Sequence, residues 1–415
     1  MKLTALLLSA LLVTAACSLT GDKTAADAVT PTTSQATTTS STASETDAKP
    51  DYNLAFAEDF DFEADVEEAV ATPPSDSGSA VPATSSGGGS GVPSTPANVP
   101  KPGIPQQYTG FLGTVDIDDI LYGAPALAPI AVPGTGPLTG LPGSVPNHRA
   151  VIVKIDNSSK ARPQSGLNAA DIVFEEQVEG GITRLAAVFH TNTPTVGPVR
   201  SGRSTDISFI NAFGGAALAY SGANKVIDAL LLRQTTIVNF SADRSAGYWR
   251  EKSRRAPSNL YTDVASFAAG GSNPPAQFAY GTPTGGTPTN TVSVTFPKST
   301  AVWSWSGGAW TRKQNGSSHT TNGGAQVSAA NVVVVVVPEV ATGLKDSAGF
   351  VVPEYVFAGS GPASVFTAGQ RIDGTWTRPT LRSPAIFIDT AGNVIELTAG
   401  RTWVELVVAG GYSSS

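Results

Sequence analysis

The sequence predicts an α/β or α+β N-terminal domain, a mixed sheet with packed helices, over about residues 137–285, followed by a mostly antiparallel all-β C-terminal domain over about 290–410. Three observations carry this expectation. Strand-like and helix-like segments alternate from PLTGLPG (137–143) to residue 285, which is the pattern of a sheet with helices laid on it. Beyond PTGGTPTNT (283–291) only short β-prone runs separated by glycine turns remain. The residues left after the N-terminal polar stretch number about 310, too many for one small core and enough for two.

Taken in order, RAVIVKI (149–155) is β-branched and apolar and predicts a buried strand. DNSSKARPQSG (156–166) reads as a loop. IVFEEQVEGGITRLAAVFH (172–190) has strand character on both sides of Gly180-Gly181, the signal for a hairpin with a tight primed turn. In VGPVRSGRSTDISFINAFGG (196–215), Ser204 is the expected N-cap and Asp206 lies in the first turn. Ile207, Ile210 and Phe213 recur at helical spacing, and Gly214-Gly215 stops the helix. ALAYSG (216–221) then predicts a strand, NKVIDALLLR (224–233) a helix and TTIVNF (235–240) a strand, whereas the charge-rich YWREKSRRAPSNLY (248–261) reads as loop. In the C-terminal part, VSVTFP, VWSWSGGAWTR, NVVVVVVP, PEYVFAGSG, PAIFID, NVIELTAG and TWVELVVAG are β segments. Val332–Val337 predicts a strand buried on both faces. Trp303 and Trp305 alternate onto one strand face, and Trp376 and Trp403 are assigned to the core.

The leader MKLTALLLSALLVTAAC has one lysine, an apolar run too short to span a bilayer, and small residues before Cys17, the only cysteine in 415 residues. That arrangement resembles a bacterial lipobox and predicts a signal peptide over 1–17, with Cys17 lipidated and holding the protein to the extracytoplasmic face of a bacterial cell membrane. A single cysteine excludes an internal disulfide, a cysteine metal site and, once lipidated, a thiol nucleophile. Residues 18–105 are dominated by Ser, Thr, Ala, Pro and Gly and predict a disordered acidic tether. Within it, DYNLAFAEDFDFEADVEEAV (51–70) interleaves aromatics and carboxylates, suited either to docking on a basic surface or to solubility alone.

The overall charge of −7 is unevenly placed. Residues 18–100 carry 13 acidic and 2 basic side chains, while between Arg149 and Arg255 there are 14 basic and 9 acidic ones. An exported protein rarely meets nucleic acid, so no nucleic-acid partner is expected. The basic stretch suits an anionic envelope polymer, a lipid phosphate or a partner's carboxylates. Arg200, Arg203 and Asp206 sit together at a helix start, where two guanidinium forks and free N–H groups would cradle an anion. The alternative is that these arginines pair with Glu175, Glu176 or Glu179 of the neighbouring hairpin. Arg250, Arg254 and Arg255, between Trp249 and Tyr261, form a second anion-binding candidate. Asp156, Glu175, Glu179 and Asp206 are the candidate carboxylates, as Arg partners, a metal set or a general base. With three histidines, no G-x-S-x-G, no S-x-x-K and no phosphate loop or dinucleotide fingerprint, no catalytic triad, metal cluster or cofactor is expected.

PLTGLPG, VIVKIDNSSKARPQSGLNAADIVFEEQVEGGITRLAAVFH, VGPVRSGRSTD and YWREKSRRAPSNLYT, followed by GSGPASVFTAGQRIDGTWTRP and GNVIELTAGRTWVELV, resemble in order the YerB-like bacterial lipoproteins, a family of unknown function. The resemblance covers about residues 137–408. It implies a two-domain surface lipoprotein and carries no established catalytic residue. VRSGRSTDISFINAFGGAALAYSGANKVIDALL is also similar in texture to the LytR-CpsA-Psr phosphotransferases, in which arginines bind a lipid-linked pyrophosphate. Three functions are therefore open: a binding or scaffold lipoprotein for an anionic wall ligand or assembly partner, a phosphotransferase-like enzyme, and a protein-contact regulator of a wall synthase.

Overall fold

The computed structural model describes residues 108–111, 129–143 and 145–415. The expected signal peptide, Cys17, the tether and the 51–70 segment lie outside them.

The N-terminal region supplies β1 (Val151–Asp156), β2 (Ile172–Gln177), β3 (Thr183–Phe189), β4 (Thr195–Val196), β5 (Ala217–Tyr220), β6 (Val238–Ser241), β7 (Tyr248–Arg250) and β8 (Leu260–Asp263). Its helices are α1 (Ser204–Ile210), α2 (Lys225–Leu232) and α3 (Ala265–Ala268). The C-terminal region is all strand: β9 (Thr287–Pro288), β10 (Thr291–Phe296), β11 (Ser299–Ser306), β12 (Ala309–Gln314), β13 (Ser317–Ser318), β14 (Ser328–Ala329), β15 (Asn331–Val336), β16 (Glu339–Lys345), β17 (Val351–Tyr355), β18 (Gly359–Thr367), β19 (Gln370–Arg378), β20 (Ile386–Asp389), β21 (Thr402–Val407) and β22 (Tyr412–Ser414). The expected fold class is what the chain adopts: a mixed sheet with helices, then mostly antiparallel β structure.

The two regions nevertheless share one sheet, in the order β20-β19-β18-β15-β21-β2-β3-β1-β5-β6. The joint is the parallel pair β2–β21, with Ile172 opposite Thr402 and Glu175 opposite Glu405. β1, β2, β3 and β15 read as apolar runs because both of their faces are covered. Alternation along β2 sends Phe174 and Glu176 to the face under α1, where Phe174 stacks on Phe209 at 4.4 Å between ring centroids. Glu175 goes to the opposite face, against the second, antiparallel sheet β13-β12-β11-β10-β22. Trp303 and Trp310 of that sheet are fully buried against Trp403 and Phe366 of the first.

Three local expectations need correction. The β2–β3 hairpin forms, but residues 178–182 make a five-residue connection through Glu179–Gly181 instead of a two-residue primed turn. Gly180 and Gly181 both have positive φ, 72° and 75°, which explains the glycine pair. Ser204 is the first residue of α1, with Arg203 as its N-cap; the helix tightens into a 3-10 turn at Asn211–Phe213 and stops at left-handed Gly214. The YWREKSRR segment is not all loop, because Tyr248–Arg250 pairs antiparallel with β8 as an edge strand.

Candidate functional site

Two charged clusters flank β2, one on each face. On the face toward the second sheet, Glu175 and Arg312 form an ion pair with neither side chain exposed to solvent. Arg312 lies between the Trp303 and Trp403 rings, 5.6 and 4.8 Å from their centroids. It also donates to Gln314 Oε1 at 2.6 Å and to His319 Nδ1 at 2.7 Å. Burial and the neighbouring Arg312 push His319 down to about 2, so its ring is neutral and its Nε2–H donates to Gln164 Oε1 at 2.8 Å. Asn157 Nδ2 bridges Thr183 and Gln314 at 2.8 and 3.0 Å. Burial first, and then the Glu175 charge, push the carboxyl of Glu405 well above the usual carboxylate range, and it accepts from Trp303 Nε1 at 2.8 Å. This buried network, in which Arg312 Nε and Glu405 Oε2 have no hydrogen-bond partner among the described residues, joins the two regions. Glu175 is thus neither a partner of Arg200 or Arg203 nor an accessible carboxylate.

On the helix-bearing face, Lys154 Nζ reaches Glu176 Oε1 at 2.5 Å and Asp206 Oδ1 at 2.6 Å, all three side chains being unexposed. Asp206 Oδ2 accepts the Arg203 backbone N–H at 2.7 Å. Thr205 Oγ1, in the first turn of α1, accepts from Tyr355 N at 3.0 Å. The helix start is therefore turned into the protein. Asp206, one of the expected ligand-facing carboxylates, is engaged by Lys154 and by the Arg203 N–H.

Burial, opposed by Lys154 and reinforced by Asp206, pushes the Glu176 carboxyl up to about 7. The folded protein then binds a proton that the unfolded chain releases near 4.5, so this group's stabilisation is present below 4.5 and lost as pH rises toward 7. The expected slope is a fall of about 1.4 kcal/mol per pH unit within that window. Denaturation of wild type and Glu176→Gln across pH 4.5–7 checks it: the difference in stability between them should change with that slope.

At the solvent-facing rim of the same face the balance shifts. Arg203 is internally satisfied, its Nε and Nη2 on Glu179 Oε2 at 3.0 and 2.6 Å and its Nη1 on the Gly202 carbonyl at 2.9 Å. Glu179 is held below the usual carboxylate range, burial being overridden by Arg203 and Arg184. Arg200 is different. Its Nε lies 3.5 Å from Asp156 Oδ2 without a hydrogen bond, and 26 % of its side chain is exposed. Asp156 already accepts from Ser258 Oγ at 2.8 Å and Ser158 N at 2.9 Å. Opposition to burial from Arg184, Arg200 and these two donors keeps its carboxyl low.

Arg184 was not singled out in the sequence, because it sits inside the apolar strand TRLAAVF. Register places it opposite both Asp156 and Glu176. It is 5 % exposed, and among the described residues its Nε has no partner and its guanidinium makes one hydrogen bond, to the Ser201 carbonyl at 3.5 Å. Burial, together with the Arg203 and Arg200 charges, pushes Arg184 down to about 9, still protonated at neutral pH. Three guanidiniums thus meet two carboxylates, Asp156 and Glu179, and two of the three are underbonded.

The second arginine group divides. Arg254 is a loop clamp, donating to the carbonyls of Lys160, Ala161 and Pro163 and to the Tyr261 hydroxyl. Arg250 donates to Asn259 Oδ1 at 2.7 Å, and its charge reaches Arg200; Trp249 is 39 % exposed beside it, and Arg255 is exposed. Among the described residues no three His, Cys, Asp or Glu side chains group as a metal set. The three histidines are structural: His319 is in the buried network, and His148 packs edge-on against buried His190 at 5.1 Å.

A sheet shared by an α/β and an all-β region, riveted by a buried ionic network and rimmed by underbonded arginines, defines a two-region protein with no metal set among its described residues. The N-terminal domain of the DUF3048 proteins of unknown function matches residues 138–276, and the C-terminal domain of the same proteins matches 292–404. The chain belongs to this family, the YerB-like proteins of unknown function. It is 38 % identical over 143 residues to YerB, a candidate lipoprotein of Bacillus subtilis (strain 168), a match spanning 32 % of this chain and 42 % of that relative. A crystal structure of the YerB protein from Bacillus subtilis is similar with a TM-score of 0.58 at 25 % identity, covering 68 % of this chain and 99 % of that one. No helix among the described residues is long and apolar enough to cross a membrane.

Proposed function

We propose that this protein is an anion-recognition module of the bacterial envelope, held to the membrane by lipid on Cys17. Its ligand would be a phosphate-bearing wall polymer or lipid headgroup. The observation that carries this reading is Arg184, a buried guanidinium with an unpartnered Nε, next to partly exposed Arg200 whose Nε is also unpartnered. A buried donor without an acceptor is destabilising by about 1–3 kcal/mol, more for a charged group, and an arriving anion removes that penalty. Arg250 and exposed Trp249 extend the surface for a polymeric ligand. The carboxylates that a phosphotransferase would use, Asp156 and Asp206, are engaged with protein donors, which favours binding over turnover.

The test is calorimetric titration of the protein with inorganic tripolyphosphate at low and high salt. Binding that weakens with salt and disappears in Arg184→Gln/Arg200→Gln supports the reading; equal binding by the variant overturns it. For the anchor, Cys17→Ala is expected to move the protein from the membrane fraction to the soluble one, and unchanged partitioning would count against lipidation.

A further inference from the structure

Lys154 of β1, Glu176 of β2 and Asp206 of α1 meet where no solvent reaches, Nζ standing 2.5 and 2.6 Å from the two carboxylates. One cation compensates one buried carboxylate as an anion, so the other is driven to keep a proton. The two carboxylates are not equivalent. Asp206 has its second oxygen fixed by the Arg203 N–H. Glu176 has its second oxygen, Oε2, without a partner among the described residues, and burial pushes its carboxyl up. Phe174 shares the strand face of Glu176 and Phe209 lies one turn beyond Asp206, the two rings being stacked, while Arg184 pairs opposite Glu176 in the sheet and the Arg203 charge also acts on Glu176. A dry site narrows the gap between an ion pair and a neutral amine beside a neutral acid.

We propose that Lys154 and Asp206 condense into an intramolecular amide, a covalent staple between β1 and α1, with Glu176 as the proton carrier. The ammonium passes a proton to the Asp206 carboxylate, leaving a neutral amine against a neutral acid. The Nζ lone pair attacks Cγ while the protonated Glu176 donates to the carbonyl oxygen and takes back the proton that nitrogen sheds. Glu176 then protonates one hydroxyl, the Cγ–O bond breaks, water leaves, and the remaining hydroxyl proton returns to Glu176. Ammonium plus carboxylate become amide plus one water. No oxidant, metal or co-reactant enters, and Glu176 ends as it began. Near-contact of reacting groups in a fixed, water-poor pocket is the arrangement that makes such a step effectively unimolecular. The staple does not depend on anion binding at Arg184 and Arg200.

The test is mass spectrometry of the full-length folded protein after denaturation and tryptic digestion. An acylated Lys154 resists cleavage, so residues 150–160 are expected joined to residues 204–225, lighter by one water than the two peptides together. Glu176→Gln should slow formation of the linked pair by about 100-fold or more, and Asp206→Ala should abolish it. Recovery of free AVIVK (150–154) in full yield from the wild-type protein, with no linked pair, overturns the proposal without reliance on any variant's folding. A linked pair that forms undiminished in Glu176→Gln overturns the role given to the glutamate.

Discussion

Replacing Arg312 by alanine is expected to destabilise the protein by about 3–5 kcal/mol, because a buried charge pair loses one partner. Arg312 is the cation for Glu175, a donor to Gln314 and His319, and the plate between Trp303 and Trp403. Its removal leaves Glu175 and Glu405 facing each other across β2 and β21 with no positive charge between them. The lesion lies on the joint between the two regions, so both should weaken together. Urea unfolding followed by far-ultraviolet circular dichroism and by tryptophan fluorescence should give coincident transitions, both displaced to lower denaturant. Removing both charges, as in Glu175→Met/Arg312→Met, should cost less than Arg312→Ala alone, since hydrophobic replacement of a whole buried pair is often neutral or favourable. A fluorescence transition that shifts while the dichroism transition stays put would show that the two regions do not share one cooperative core.

The second large effect concerns binding and should leave stability almost untouched. Arg184 makes one hydrogen bond, at 3.5 Å, and lies among Arg200 and Arg203, so Arg184→Gln removes little structure and some like-charge repulsion. Stability is expected within about 1 kcal/mol of wild type, well below the loss from a satisfied buried arginine. Affinity for tripolyphosphate should behave oppositely. Each charge-assisted hydrogen bond contributes about 1.5–3 kcal/mol, so losing Arg184 and Arg200 together should weaken binding by roughly 100-fold or more. Arg378 is the control. It is just as buried, but it is capped by the carbonyls of Phe357, Leu381 and Ser383. Arg378→Gln should therefore lower stability and spare anion affinity.

Much of the fold was legible because its signals are local. The β-branched run VIVKI dictates a covered strand, Asn224 caps α2 through its side chain, and the glycine pair at 180–181 supplies the positive φ its connection needs. The joint was not legible: β2 and β21 lie some 230 residues apart, and no local pattern specifies a parallel pairing at that separation. The charged clusters follow the same division. Adjacent Glu175 and Glu176 must point to opposite faces by strand alternation, but which cation waits on each face depends on tertiary placement. Arg200 and Arg203 drew notice through their spacing, yet one is internally satisfied and the other is not. Arg184, on which the proposed anion site rests, is hidden in sequence by its apolar neighbours.

In the proposed function the Arg184 and Arg200 Nε–H donors await an anion. Arginine-selective ¹⁵N NMR of the protein titrated with tripolyphosphate addresses it directly. Saturable shifts of the Arg184 and Arg200 Nε–H signals are expected, with Arg378 and Arg312 unmoved. Signals of Arg184 and Arg200 that stay fixed throughout the titration, or shifts confined to exposed arginines such as Arg255, would contradict it.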